Sequence, residues 1–343
     1  MRKLLNTLYV STQGAYLRLE GETVVVEIEK EKRLQLPIHT IGGIVCFGNV
    51  MCSPFLLGFC AERDVSVSFL TEYGKFLWSV RGPISGNVLL RRKQYRMADD
   101  EEISKAVASN VVTGKLSNCR VVINRIIRDH ESKVDAESLK NASEKIGRII
   151  NRIPRAQSID EVRGFEGQGA AEYFNIFNHL IISQKEDFIF AERSRRPPLD
   201  EVNALLSFIY TLLSHDVRSA IETVGLDSQV GFLHRDRSGR HSLALDLMEE
   251  FRPVIADRLV LSLINRKQVG KKNFSKASSG AVTMDDTARK TILTEYQNRK
   301  QDTISHPYID ETVPIGLLFF IQASAMARYI RGDIDGYPPF FWK

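Results

Sequence analysis

Hydrophobic and polar positions along this chain follow two different rhythms. In roughly the first 82 residues they alternate or form β-branched runs. TLYVST, AYLRLEG, ETVVVEIE and KRLQLP are such segments, punctuated by Gly14 and by Gly21-Glu22. IGGIVCFG and VSVSFLTEYGKFLWSV continue the pattern. A period of two with β-branched enrichment predicts strands. One short apolar segment, Pro54 to Glu62, reads as a helix between them. Past Gly82-Pro83 the rhythm becomes helical. Ser85 to Arg96 is a basic linker or first helix. Asp99 to Glu102 places acids where a helix dipole favours them. The helix that follows runs to about His130, with Val107, Val111, Cys119, Val122, Ile126 and His130 on one side. Helical patterns then cover 135–151, 159–192, 198–216, 218–225, 242–266, 284–301 and 312–331. Residues 268–283, rich in Gly, Ser and Lys without apolar periodicity, read as a flexible basic loop. The expected fold is therefore α+β with two domains. A β-rich, sandwich-like domain over 1–82 precedes a larger all-α domain over 83–343.

Composition narrows the classes. With 343 residues and 43% hydrophobic content, the chain can bury one large or two ordinary cores. A net charge of +5 suits a nucleic-acid partner without requiring one. Cys46, Cys52, Cys60 and Cys119 form no CxxC pair, which favours a reduced, cytoplasmic protein over a zinc or disulfide scaffold. Arg2 and Lys3 precede no long apolar stretch, so no signal peptide is expected. The longest apolar run, Gly316 to Ala327, is too short to cross a bilayer and contains Gln322 and Ser324, so no membrane partner is expected.

The chemistry concentrates in GFLHRDRSGRHSLALDLMEEFRP, residues 231–253. His234 follows an apolar pair, and a polar glycine turn leads into a helix carrying Asp246, Glu249 and Glu250. Acids three and four residues apart share a helix face and repel. A cation between them would remove that conflict, and oxygen donors with one imidazole suit Mn²⁺ or Mg²⁺. Arg235, Arg237, Arg240 and Arg252 suggest a polyanionic substrate. The plainer reading is a boundary histidine beside a solvated acidic face. A second segment weighs against it. EVRGFEGQGAAEYFNIFN, residues 161–178, carries three glycines inside a helical pattern, each costing about 1 kcal/mol relative to alanine. They suggest close approach to the backbone. Glu166 shares a face with Ala170, Tyr173 and Phe177, so it points inward and needs a partner.

RGFEGQGAAEYF, GFLH and GRHSLALDLMEEFRP, in this order, resemble the CRISPR-associated integrase and endonuclease family, the catalytic subunit of the spacer-acquisition complex. The resemblance covers nearly the whole chain. It implies Glu166, His234 and Glu249 as metal ligands, with Asp246 and Glu250 as further acidic positions. Glu249 stands where some relatives carry Asp, which leaves open whether Asp246 or Glu249 is the nearer ligand. It also implies insertion of short DNA fragments into a CRISPR array, with a 3′-OH attacking a phosphodiester at the repeat boundary. Double-stranded DNA, a small companion protein and a second copy of the chain, joined through the β-rich half, are the implied partners. In-line transfer of this kind needs positioning and electrostatics rather than a protein nucleophile. Basic clusters at Arg91 to Arg96, Arg193 to Arg196 and Lys267, Lys271, Lys272 and Lys276 are either phosphate contacts or solvated surface. Tyr95 and Phe274 among them are candidates for stacking on bases. His241 is either a phosphate donor or merely exposed. Tyr337 to Trp342 either docks a partner or packs on its own domain. Two rivals remain. His215-Asp216, with His130 and His179 upstream, is a literal HD pair that raises an HD-type metal phosphohydrolase, but those histidines lack the spacing such a site expects and no downstream Asp completes it; a non-catalytic nucleic-acid scaffold would make the acids structural.

Overall fold

A computed structural model describes residues 6–63, 65–72, 76–80 and 87–342. The chain divides into two compact units, residues 1–86 with 292–301, and residues 87–291 with 302–343. The predicted breakpoint at Gly82-Pro83 lies outside the described residues.

The first unit holds two four-stranded sheets. One contains β1 (Asn6–Val10), β5 (Ile41–Phe47), β7 (Ser66–Leu70) and β8 (Phe76–Val80) in that spatial order. Its first three strands are parallel and β8 is antiparallel. The other contains β4 (Glu31–Pro37), β3 (Thr23–Ile28), β2 (Tyr16–Glu20) and the short β6 (Met51–Cys52). Glu20 pairs with Thr23, so β2 and β3 are joined by Gly21-Glu22 alone. Gly21 has φ +59°, the backbone a tight two-residue hairpin demands. Leu17, Val24 and Val26 from one sheet meet Ile44, Cys46 and Val67 from the other in one buried cluster. The helix α1 (Pro54–Glu62) adds Leu56 and Cys60 to that cluster. Its bounds match the predicted segment because Ser53 caps it, accepting from the Leu56 amide at 3.2 Å, with Pro54 at the first turn.

The second unit is mostly helical. It comprises α2 (Val88–Asp99), α3 (Glu101–His130), α4 (Ala136–Arg152), α5 (Ile159–Asn175), α6 (Glu201–Thr223), α7 (Ser242–Glu249), α8 (Arg258–Asn265), the start of α9 (Asp286–Gln301) and α10 (Ile315–Arg331). The central element is α3, packed by α2, α4, α5 and α7. It buries Val107, Val111, Cys119 and Val122, but Ile127 rather than Ile126 completes the face. Two hairpins stand among the helices: β9 (Phe274–Lys276) with β10 (Val282–Met284), and β11 (Thr303–His306) with β12 (Glu311–Pro314).

Several predicted boundaries move. The pattern over 159–192 stops being an α-helix at Asn175, and residues 181–200 form an irregular strap. Side-chain amides satisfy its backbone: Asn265 accepts from Ile182 and Ser183, and Asn178 from Phe190. The two helices expected over 198–225 are one, begun by the Asp200 cap on the Asn203 amide. The helix expected over 242–266 is interrupted by a π-helical stretch, Arg252–Asp257, where Pro253 supplies no N–H. The basic segment 268–283 is not a structureless loop. Its sparse apolar residues anchor a hairpin, with Val282 buried and Phe274 edge-on to Phe188 at 5.7 Å.

Candidate active site

A lysine lies at the centre of the site. Lys115 sits midway along α3, on its buried face. Its ammonium contacts the Glu166 carboxylate of α5 and lies 2.7 Å from Glu249 Oε2 at the end of α7. Arg252 Nη1 approaches Glu249 Oε1 at 2.8 Å, and His234 Nε2 lies 3.9 Å from the same oxygen. Burial pushes the Glu249 carboxyl up, but Arg252, Lys115 and His234 together outweigh it and hold it down at about 2. Lys115 stays charged for the converse reason: burial disfavours its ammonium, and Glu249 and Glu166 more than restore it. Glu166 and Glu249, 83 residues apart on α5 and α7, thus gather around one buried cation of α3, with the His234 imidazole beside Glu249.

His234 is oriented from behind. Its Nδ1 lies 2.7 Å from Asp246 Oδ1. The fully buried Asp246 also accepts the amides of Phe232, Leu233 and His234 at 2.6, 3.0 and 3.0 Å. That fourfold clasp is possible because residue 231 is glycine. A Cβ there would meet Asp246 Oδ2 and the Ser242 carbonyl carbon, each at 2.7 Å. With Nδ1 on a carboxylate, Nε2 is the ring nitrogen turned towards Glu249. Asp246 therefore stands behind the imidazole rather than beside Glu166.

Glu250 turns away from this group. It accepts from Tyr337 Oη at 2.5 Å, the Phe340 amide at 2.6 Å and Gln322 Nε2 at 3.0 Å. Burial raises its carboxyl to about 8, since its partners are neutral donors. Asn118, one turn from Lys115, donates to the carbonyls of Glu250 and Phe340 and accepts from the Trp342 amide at 2.8 Å. The Tyr337–Trp342 segment therefore packs on its own unit, as a strap beneath the end of α7.

A cavity of about 290 Å³ opens beside Lys115 and Glu166. Tyr210 and Asp257 line it, with Tyr210 Oη donating to Asp257 Oδ1 at 2.7 Å. Burial raises the Asp257 carboxyl to about 6 against the pull of that bond. Arg193 and Arg252 approach the Tyr210 ring at 5.4 and 5.1 Å.

The remaining predicted residues divide. Arg235 is exposed and pairs with Asp160 at 2.9 Å, Arg237 is exposed, and Arg240 leans on the Arg235 carbonyl at 3.5 Å. Lys271, Lys272 and Lys276 belong to the hairpin segment, remote in sequence from the acids. Tyr95 is tied to Asp227 at 2.9 Å. His241 is neither freely exposed nor free for phosphate: its Nδ1 meets Ser228 Oγ at 2.9 Å. His215-Asp216 lies within α6 rather than ending a helix, and His179 is 3.7 Å from Asp135 at the surface. Of the three helix glycines, only Gly169 is closely approached, by Leu116; Gly164 and Gly167 face open space. Lys115, Asn118 and Asp257 escaped the sequence reading as site residues, and Arg193 was read only as part of a basic cluster. Lysine and asparagine within the apolar face VVTGKLSNC were the available signal.

Among the described residues no three His, Cys, Asp or Glu side chains already stand as a metal cluster. The donor set nevertheless fits a hard divalent cation. Two carboxylates and an imidazole with its Nδ1 on a third carboxylate suit Mg²⁺ or Mn²⁺, and the space between the first two already holds one positive charge, that of Lys115.

Residues 8–298 match the family model described as CRISPR associated protein Cas1. The chain is 54% identical to the CRISPR-associated endonuclease Cas1 1 of Chlorobaculum tepidum, over the full length of both. Its fold is similar to that of a Cas1 protein from Thermotoga maritima, with TM-score 0.80, 24% identity and coverage of 96% of this chain and 97% of the other. It is also similar to a casposase bound to integration product, with TM-score 0.84, 24% identity and coverage of 99% and 95%. No described helix is long and apolar enough to cross a membrane.

Proposed function

The chain belongs to the Cas1 family of CRISPR-associated proteins, and from that premise we propose that it is a metal-dependent DNA endonuclease and integrase. The observation that carries the reading is the convergence of Glu166 and Glu249 on one buried cation, with His234 held towards them by Asp246. Glu166, Glu249 and His234 Nε2 would hold Mg²⁺ or Mn²⁺, which supplies Lewis-acid polarisation of a phosphodiester and of an attacking hydroxyl. Asp246 fixes the imidazole so that no rotation is needed on loading. Arg252 neutralises the Glu249 oxygen that faces His234. Gly164 and Gly167 leave the outer face of α5 bare beside Glu166, which gives a DNA strand room to approach the carboxylate.

The substrates in this reading are a short duplex with 3′-OH ends and the repeat of a CRISPR array, in the cytoplasm. The 3′ oxygen attacks phosphorus at the repeat boundary and the repeat strand's own 3′ oxygen leaves. Exposed Arg235 and Arg237, with Lys271, Lys272 and Lys276, supply contacts to the phosphate backbone. A small companion protein and a second copy of the chain complete the assembly. The test is integration of a short 3′-OH duplex into supercoiled plasmid, with and without Mn²⁺. Glu166→Gln is expected to abolish product, while His215→Ala retains it. Undiminished integration by Glu166→Gln would overturn the reading, and loss in His215→Ala alone would restore the phosphohydrolase alternative.

A further inference from the structure

The buried face of α2 has one member that packing alone does not explain. Leu90 and Met97 are apolar, but Gln94 between them is a carboxamide with no exposure to solvent. A leucine there would serve the helix as well, and a buried amide is costly unless it is bonded. The bonds of Gln94 reach 133 to 136 residues along the chain. Its Nε2 donates to the carbonyls of Asp227 and Val230 at 2.7 and 2.8 Å, and its Oε1 accepts the Asp227 amide at 2.9 Å. Both amide hydrogens are thus spent on one loop. The other ties from α2 to that loop are weaker. Arg91 and Asn87 reach the Gly225 and Val224 carbonyls at 3.4 and 3.5 Å, and Tyr95 meets the Asp227 side chain at an exposed position.

The loop clamped in this way serves two segments at once. On one side it caps α7. His241, at the capping position, makes no side-chain cap bond. Instead the Gln229 carbonyl accepts the Ser242 amide at 3.3 Å, and the Ser228 carbonyl accepts the amides of Leu243 and Ala244 at 3.1 and 3.4 Å. These are first-turn amides that a helix leaves without internal partners. On the other side the loop runs from Val230 through Gly231 into Phe232, Leu233 and His234, whose amides return to Asp246 of the same helix. A shift of residues 227–230 therefore moves both the helix that carries Glu249 and the segment that carries His234. We propose that Gln94 is a positioning residue for the pair His234 and Glu249. It touches neither, and sets both through one loop. A functional constellation tolerates displacements of only about 0.5 Å, which three short bonds from a rigid helix can enforce. That the pair holds a metal rests on the proposed function; that Gln94 sets its geometry does not.

The test is amide hydrogen exchange on the full-length protein in metal-free buffer, with variants compared at equal global stability set by urea. Gln94→Met is expected to speed exchange at residues 232–234 and 242–244 about tenfold or more, while α4 and α5 keep their protection. Leu139→Ala, which opens a cavity in α4 where Leu139 is fully buried, should leave those two segments alone. A buried carboxyl facing two carbonyl oxygens keeps its proton, so Gln94→Glu retains the acceptor and one donor and should fall between wild type and Gln94→Met. It carries the same comparison should Gln94→Met fail to fold. Titrated with Mn²⁺ by calorimetry, Gln94→Met should bind about tenfold more weakly than wild type. In DNA integration its kcat should fall while KM for DNA holds. Faster exchange confined to residues 227–230, or matched by Leu139→Ala, overturns the inference. So does Mn²⁺ affinity equal to that of wild type, or a change in KM alone. Faster exchange in both segments, in a protein whose wild type binds no Mn²⁺ and integrates no DNA, sinks the proposed function and leaves the positioning role of Gln94 standing.

Discussion

The strand-rich residues 6–80 and the helical core around α3 bury polar atoms in opposite ways. Among described residues of the first region, the buried polar side chains are Ser53 and Ser68, and none is charged. The second region buries Lys115, Asp246, Glu249, Glu250 and Asp257. Burying charge is costly even when it is paired. The first region shows that this chain can build a core without doing so. The charges around α3 therefore call for a chemical reason rather than a structural one. Within the helical core a finer contrast repeats the lesson. Glu249 and Glu250 are neighbours and equally buried, yet one sits at about 2 and the other at about 8. Cations surround the first, neutral donors the second.

The sharpest break in the comparison comes from removing one charge or two. Lys115→Met leaves Glu166 and Glu249 without their shared cation, and is expected to cost about 3–5 kcal/mol in urea unfolding. Lys115→Met with Glu166→Leu, which leaves the Glu249–Arg252 pair in place, should recover most of that stability while integration remains lost. In the strand-rich region Leu17→Ala should also cost about 2–5 kcal/mol, through a cavity, and no partner substitution of this kind will restore it. A double variant as unstable as the sum of its singles would mean that the charges are structural.

A second, smaller effect is the dependence of stability on pH. The folded protein keeps the Glu250 proton that an unfolded chain releases near the ordinary value of 4.5. Its contribution therefore falls as pH rises from there through about 8, by at most about 1.4 kcal/mol per pH unit. Glu249 has the opposite sign, losing its contribution as pH falls from 4.5 towards about 2. Glu250→Gln should flatten the slope of the thermal midpoint between about pH 4.5 and about 8 and leave the limb below pH 4.5 in place. An unchanged slope would remove Glu250 from the explanation. The smallest effect should come from Arg18→Ala, which breaks ion pairs with Glu20 and Glu27 at the surface of β2 and β3. Pairs so exposed contribute little, so the midpoint should not move measurably, and a clear drop would blur the contrast drawn above.

The sequence made the strand-rich region legible because one face of each strand is apolar and the caps are local. Ser53-Pro54 marks α1, and Gly21 marks its hairpin. The motif residues Glu166, His234 and Glu249 were legible for a different reason, resemblance at three separated segments. What remained hidden depended on tertiary partners. Nothing local to Lys115 says that its ammonium meets two carboxylates. Nothing near Glu250 shows that Tyr337 and Phe340 will claim it, so it read as part of the acidic face. The strap over 181–200 continued an apolar pattern and passed for helix, because Asn178 and Asn265 replace the missing backbone bonds from a distance. The hairpin at 274–284 was masked by lysines, serines and glycines around only three apolar anchors.

The strap beneath α7 also sets an order of events in time. Phe340 lies 90 residues beyond Glu250. A ribosome adding about 5–20 residues per second would need roughly 5 to 20 s to deliver it after Glu250 has been joined. During that interval α3, α5 and α7 already exist, but the end of α7 lacks the Phe340 amide, the Tyr337 hydroxyl and the Asn118 bridge to Phe340. Such long-range contacts also form late on topological grounds. The Glu250 end of α7 thus reaches its final setting only after residue 340 has been made.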